Sequence, residues 1–213
     1  MSQKEDILEQ IVEEYLTHKG YFVQHNIKYR PGKSAAGYDS KKDSVHSDID
    51  VLGFNPRESG AGRVLAINVK SWQGGFDINA VLAQIGANKI VSGRESKLRY
   101  RELCIPKWSA AYRETIKSRT GETQFTHVLA VTLSRGEASS WTNHRPFIKA
   151  LGGNPLCILT LRQMIDTIEP ELTTTPAATD IGRTLQLFRA AGLRPKPARP
   201  EQSIIDDEKL DEE

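Results

Sequence analysis

Between residues 5 and 19, Ile7, Leu8, Ile11, Val12, Tyr15 and Leu16 recur at helical spacing with acids between them, which predicts an amphipathic helix ended by Gly20. Placed at 100° per residue, Glu14 falls at the edge of the apolar stripe beside Ile7 and Ile11, and Glu13 faces further away. Residues 21–29 read as a strand, and Pro31 to Asp43 as a polar, mobile Gly/Ser/Lys-rich connection. Two strands follow, His46 to Gly53 and Val64 to Trp72, joined by the turn-forming stretch Asn55 to Gly60. Asp77 caps a helix carrying Ile78, Val81, Leu82 and Ile85 on one face. A second helical stretch, 99–119, holds Leu103, Trp108, Ala111, Tyr112 and Ile116, with Pro106 kinking it or marking its true start. Then come a buried strand at 125–133, a short helix at 137–151, a strand at 156–160 and a helix at 161–168.

The order α-β-β-β-α-α-β-α-β-α predicts an α/β fold with a mixed sheet flanked by helices on both faces. Residues 1–169 read as one domain. The segment 170–213 reads as an appendage: a Thr-rich linker, an amphipathic helix at 180–192 with Ile181, Leu185, Leu187 and Phe188, and a Pro-rich then acidic tail expected to be disordered.

The chemistry concentrates in the two central strands. Residues two apart in a strand share a face, so Asp48 and Asp50 project together, as do Asn68 and Lys70. Paired as a hairpin, the strands would place two carboxylates, an amide and an ammonium on one sheet surface. Packing does not call for such a cluster, because charged side chains are rarely buried unpaired. The plainer reading is a cross-strand salt bridge on a solvated face. His46 alternates with the two aspartates and reads as an ordinary strand-start histidine, Trp72 as a core or rim aromatic, and Gln84 as a solvent-facing glutamine.

At 213 residues with 38% hydrophobic content the chain can bury a core, and its net charge of +2 selects no partner. The distribution of charge says more. Between Lys89 and Arg119 nine cations stand against three acids, with Tyr100, Trp108 and Tyr112 interleaved; Lys97, Arg99, Arg101 and Lys107 are the candidate contacts to a nucleic-acid backbone. From Glu201 seven acids stand against Lys209. Cys104 and Cys157 lack metal-ligand spacing and read as reduced, buried thiols. The charged opening Met1 to Asp6 and the lack of a long apolar run give the expectation of a cytoplasmic protein with no membrane segment. There is no Gly-x-Gly-x-x-Gly after the first strand, no phosphate-loop lysine, and no serine or cysteine in a nucleophile context.

A helix bearing a glutamate, a strand with x-Asp and a following strand ending in x-Lys resemble the restriction-endonuclease-like fold of the PD-(D/E)XK nucleases. The likeness covers Glu5 to Val91 by motif and extends to Ile168 by element order. It implies a metal-dependent deoxyribonuclease, with Asp50, Asp48 and Glu14 holding Mg²⁺ (or Mn²⁺) and Lys70 assisting the attacking water. Asn68 stands where the family carries an acid, and as the motif residue it joins Asp50, Lys70 and Glu14 in the implied catalytic set. An amide oxygen can coordinate but carries no formal charge, and a charge contact at 4 Å is worth on the order of 4 kcal/mol at an effective dielectric near 20. Asp48 and Glu14 are the carboxylates that could compensate. The alternative is a degenerate nuclease-fold module that binds nucleic acid, or a subunit docking a protein partner or a second copy through residues 170–213.

Overall fold

The computed structural model describes residues 6–193; the tail expected from Pro195 onward and the first five residues lie outside them. Five strands form one mixed sheet: β1 (Phe22–Tyr29), β2 (Ser47–Phe54), β3 (Val64–Lys70), β4 (Thr126–Val131) and β5 (Leu156–Thr160), in the order β1-β2-β3-β4-β5. The first three are antiparallel neighbours, and β3, β4 and β5 run parallel. Antiparallel neighbours need only a loop, whereas each parallel step needs a crossover. The β3–β4 crossover accordingly carries helices α2 (Ile78–Gly86) and α3 (Pro106–Thr120).

Each sheet face has its own apolar layer. Helices α1 (Ile7–His18) and α4 (Leu161–Glu171) bring Leu8, Val12, Leu16 and Met164 onto Val51, Ile67, Val69, Val128 and Ala130. On the other face Trp108, Tyr112 and Ile116 of α3 meet Tyr29, Ile49, Leu52, Ala66 and Leu129. Tyr29 packs edge-on against both Trp108 and Tyr112, with centroids 5.9 and 5.3 Å away. Among the described residues no helix is long and apolar enough to cross a membrane. Both cysteines are free and half-buried.

Of the two roles expected of Pro106, it takes the second and marks the true start of α3, at a first turn where a missing N–H is harmless; two one-turn helices, Ser96–Arg99 and Arg101–Cys104, precede it. Two other elements differ from the expected pattern. The helix expected at 137–151 is two short ones, Ala138–Thr142 and Arg145–Ala150, restarted by Pro146 in the first turn of the second. The Pro31–Asp43 connection, expected to be mobile, is fastened to α3. Asp43 is 2% exposed and accepts from Trp108 Nε1 at 3.0 Å and from the Asp39 amide at 2.7 Å, and it pairs with Lys107.

Helix α5 (Asp180–Ala190) docks on α1 through a polar joint. Thr179 caps α5 by accepting from the Gly182 amide at 3.0 Å, and its hydroxyl donates to Glu14 Oε2. A Cβ on Gly182 would meet Ala177 Cβ at 2.7 Å, Glu14 Oε1 at 2.8 Å and Thr179 Oγ1 at 2.9 Å. Gly182→Ala should therefore cost about 1–2 kcal/mol in chemical denaturation, although alanine favours a helix by about 1 kcal/mol over glycine. A neutral or stabilising result would mean that this joint is loose.

Candidate functional site: a fork between the central strands

The β2–β3 ladder runs from Phe54↔Val64 to Val51↔Ile67, and the next residues in the same register are Asp50 and Asn68. There side chains take over from backbone pairing. Asp50 Oδ2 accepts from the Val69 amide at 2.6 Å, and Asn68 Nδ2 donates to the Asp48 carbonyl at 3.4 Å. On either side the sheet continues, as β1 pairs β2 down to Tyr29↔Ser47 and β3 pairs β4 down to Lys70↔Val131. The sheet thus forks, with Asp50 and Asn68 at the crotch. Opposite Asp50, Asn26 sits in the left-handed region with φ 54°, and the Asn26–Asp50 pair is skipped in the β1–β2 ladder. Asparagine tolerates that conformation better than most residues.

By strand alternation from Leu52 and Ala66, Asp50 and Asn68 belong to the α3 face. Burial pushes the Asp50 carboxyl up to about 6; the Val69 amide and the Lys70 ammonium oppose the rise, and the negative charges of Asp48 and Glu102 add to it. Lys70 therefore acts electrostatically on Asp50, although among the described residues no ion pair joins them within 4 Å. Asn68 is 8% exposed. Its amide nitrogen is fixed by the Asp48 carbonyl, which leaves Oδ1 as a buried acceptor with no hydrogen-bond partner among the described residues. Asp48 is exposed, across from Lys28 on β1.

Glu14 is not brought to this fork. It is buried, with Oε2 taken by Thr179 and Oε1 3.6 Å from His18. The part of α1 that does reach the fork's end is its first turn, where Asp6 caps the helix by accepting from the Leu8 amide at 2.8 Å and also accepts from Ser71 Oγ. Glu14 lies eight residues further on, about 12 Å along the axis. Helical angle put Glu14 at the edge of the apolar stripe, but α1 packs on the sheet face opposite to the one that carries Asp50 and Asn68, and height along the helix takes the carboxylate further from the site, to Thr179 and His18.

Two other residues border the fork that sequence reasoning did not single out. Glu102, counted there only as an acid within the basic run, is 4% exposed; His127 on β4 is wholly buried. His127 Nε2 stands 3.8 Å from Glu102 Oε1, and the Tyr29 hydroxyl is 3.4 Å from Glu102 Oε2. Burial would push the Glu102 carboxyl up, but the His127 imidazole and then the Lys70 charge outweigh it and hold the group below its ordinary value. The one signal available in advance was a lone histidine inside the otherwise apolar run of β4.

The four expected backbone contacts are mostly engaged in local structure. Lys107 pairs with buried Asp43 and donates to the Gly37 carbonyl, Arg99 donates to the Val91 carbonyl, and Arg101 donates to the Leu98 carbonyl while lying 4.3 Å over the Trp108 ring. Lys97 is half-buried beside Leu103, Cys104 and His144. No family model, curated protein or solved structure matches this chain.

For a divalent cation, the donors at the fork are Asp50 and Asn68. Among the described residues no three of His, Cys, Asp and Glu converge to hold a metal. Mg²⁺ commonly uses one or two protein carboxylates and completes its shell with water and substrate phosphate. One carboxylate beside an unpartnered buried amide oxygen fits that habit. Asp48, expected on the same face as Asp50, is turned away from it: Ile27, Tyr29 and Ile49 pack on the α3 side whereas Val51 packs on the α1 side, so the alternation slips at Asp50 and sends Asp48 and Lys28 to the other face.

Proposed function

We propose that the fork is the reaction centre of a Mg²⁺-dependent phosphodiesterase acting on DNA, in an arrangement similar to that of restriction-endonuclease-like nucleases. The observation that carries this reading is geometric: a partly buried Asp50, fixed by the Val69 amide, lies across the opened ladder from Asn68 with its orphaned Oδ1, in reach of the positive charge of Lys70. The mixed sheet, with helices on both faces and the cluster at the mouth of its two central strands, supports it as fold-level analogy. A bound cation would polarise the scissile phosphate and acidify a water. Asp50 and Asn68 would hold it, Asp50 fixed in place by the Val69 amide. The Lys70 ammonium, at the end of β3, offsets negative charge gathering on the phosphate and orients the water.

Purified protein should nick plasmid DNA with Mg²⁺ and leave it intact with EDTA. Lys70→Ala should lower the rate by about 100-fold, the size of loss seen when a single transition-state charge contact is removed. The absence of cutting on duplex and single-stranded DNA, with Mg²⁺ or Mn²⁺, would overturn the reading. The neutral amide at Asn68 favours the second reading, a non-catalytic nucleic-acid-binding module. That reading expects binding that persists in EDTA and is indifferent to Lys70→Ala.

A further inference from the structure

The connection between β1 and β2 starts and ends at the open end of the fork. Arg30 follows Tyr29, which pairs with Ser47, and Ser47 is three residues before Asp50. Its middle is tied down to the face that carries the fork. Lys107 at the start of α3 pairs with Asp43 and donates to the Gly37 carbonyl, and Trp108 Nε1 donates to Asp43. Internal turns stiffen it further: the Ala35 amide reaches the Gly32 carbonyl and the Tyr38 amide the Ala35 carbonyl, both at 3.0 Å, and Asp39 caps the Ser40–Asp43 turn. The fastening also sorts the charges. Asp43 faces inward and is neutralised by Lys107, and Asp39 turns its carboxylate to the Lys41 amide. Arg30, Lys33, Lys41 and Lys42 remain exposed, and among the described residues none of them is in an ion pair.

We infer that this strap is a preformed contact surface for the phosphate backbone of duplex nucleic acid, with Lys33, Lys41 and Lys42 as its cations, laying the strand across the mouth of the fork. The inference rests on the proposed phosphodiesterase reading for the identity of the polyanion. A surface held in place before binding loses less conformational entropy when it engages. Lysines at a pinned turn meet that condition, whereas Lys107, the expected contact, is already committed to Asp43.

The test is fluorescence anisotropy of a labelled 20-base-pair DNA duplex in EDTA, between 50 and 200 mM NaCl, so that no cleavage interferes. The Lys33→Gln/Lys41→Gln/Lys42→Gln variant should bind at least about 10-fold more weakly than wild type at 100 mM salt. Its slope of log affinity against log salt should be shallower by about 2 to 3, since each phosphate contact contributes about 0.9. The corresponding triple Lys→Arg variant should keep both affinity and slope, which separates lost charge from lost structure. Unchanged slope and affinity in the Gln variant, or no duplex binding by wild type, would overturn the inference. Cleavage is scored separately. Strap-dependent binding without cutting would remove the nuclease reading and leave the surface, and cutting with strap-independent binding would do the reverse.

Discussion

Asp50→Asn should make the protein more stable at pH 7 to 8, by as much as about 3 kcal/mol, and, if the proposed function holds, should also abolish metal-dependent cleavage. In the folded chain burial raises the Asp50 carboxyl from 3.8 to about 6. At low pH both folded and unfolded chains carry the proton, and nothing is lost. As pH rises through about 4 the unfolded chain releases its proton and the folded chain does not, so stability falls. The fall is complete above about 6, where each unit of difference has cost about 1.4 kcal/mol. Asparagine keeps an oxygen for the Val69 amide and removes the charge. The variant should therefore match wild type near pH 4 and exceed it at pH 8, with a melting temperature higher by several degrees for a chain of this size. Millimolar Mg²⁺ should close the gap at pH 8 by stabilising the wild type, because a ligand that binds only the folded state adds RT ln(1 + [L]/Kd). Thermal melts of both proteins at pH 4 and 8, with and without Mg²⁺, check this. If the variant melts below wild type at pH 8, the Asp50–Val69 hydrogen bond is structural and the carboxylate is not a destabilised functional group.

How much of this was readable beforehand depended on sequence distance. Alternation in β2 and β3 placed Asp50, Asn68 and Lys70 because the three lie within 21 residues on neighbouring strands, and the α/β class followed from the order of elements. The opening of the ladder at Asp50 was hidden, since a strand pattern shows which residues face together but not where pairing stops. Glu14 shows the matching limit for helices, in that periodicity fixes angle while a contact 165 residues away, with Thr179, decides what the carboxylate does. The strap departs from a free loop for a similar reason. Its polar composition reads as a free loop, and the buried acid that fastens it finds Trp108 65 residues further along. Glu102 and His127 meet because β4 pairs in parallel with β3, placing His127 beside Ala66, and no local pattern encodes a crossover's landing point.

That meeting sets the second large effect. His127→Leu should cost about 1–3 kcal/mol, because it leaves the Glu102 carboxylate buried without the imidazole that stands 3.8 Å away and offsets its desolvation. The loss should be greatest at neutral pH. In wild type the depressed Glu102 carboxyl contributes stability above its unfolded value and loses it as pH falls through the folded one; in the variant the group takes up a proton instead, so the difference narrows in acid. Adding Glu102→Leu should recover most of the loss, since replacing both members of a buried pair with apolar groups is often close to neutral. A double-mutant cycle in urea at pH 7 measures the coupling, and additive costs, or a single-variant cost below about 1 kcal/mol, would show that the two groups do not depend on each other. The pair also reaches the fork. Glu102 is one of the charges that raise Asp50, so Glu102→Gln should shift the Asp50 titration, followed by carboxylate NMR, below about 6. A buried acid on a neighbouring helix would then be setting the protonation of the fork's carboxylate, and through it the pH above which a cation can bind.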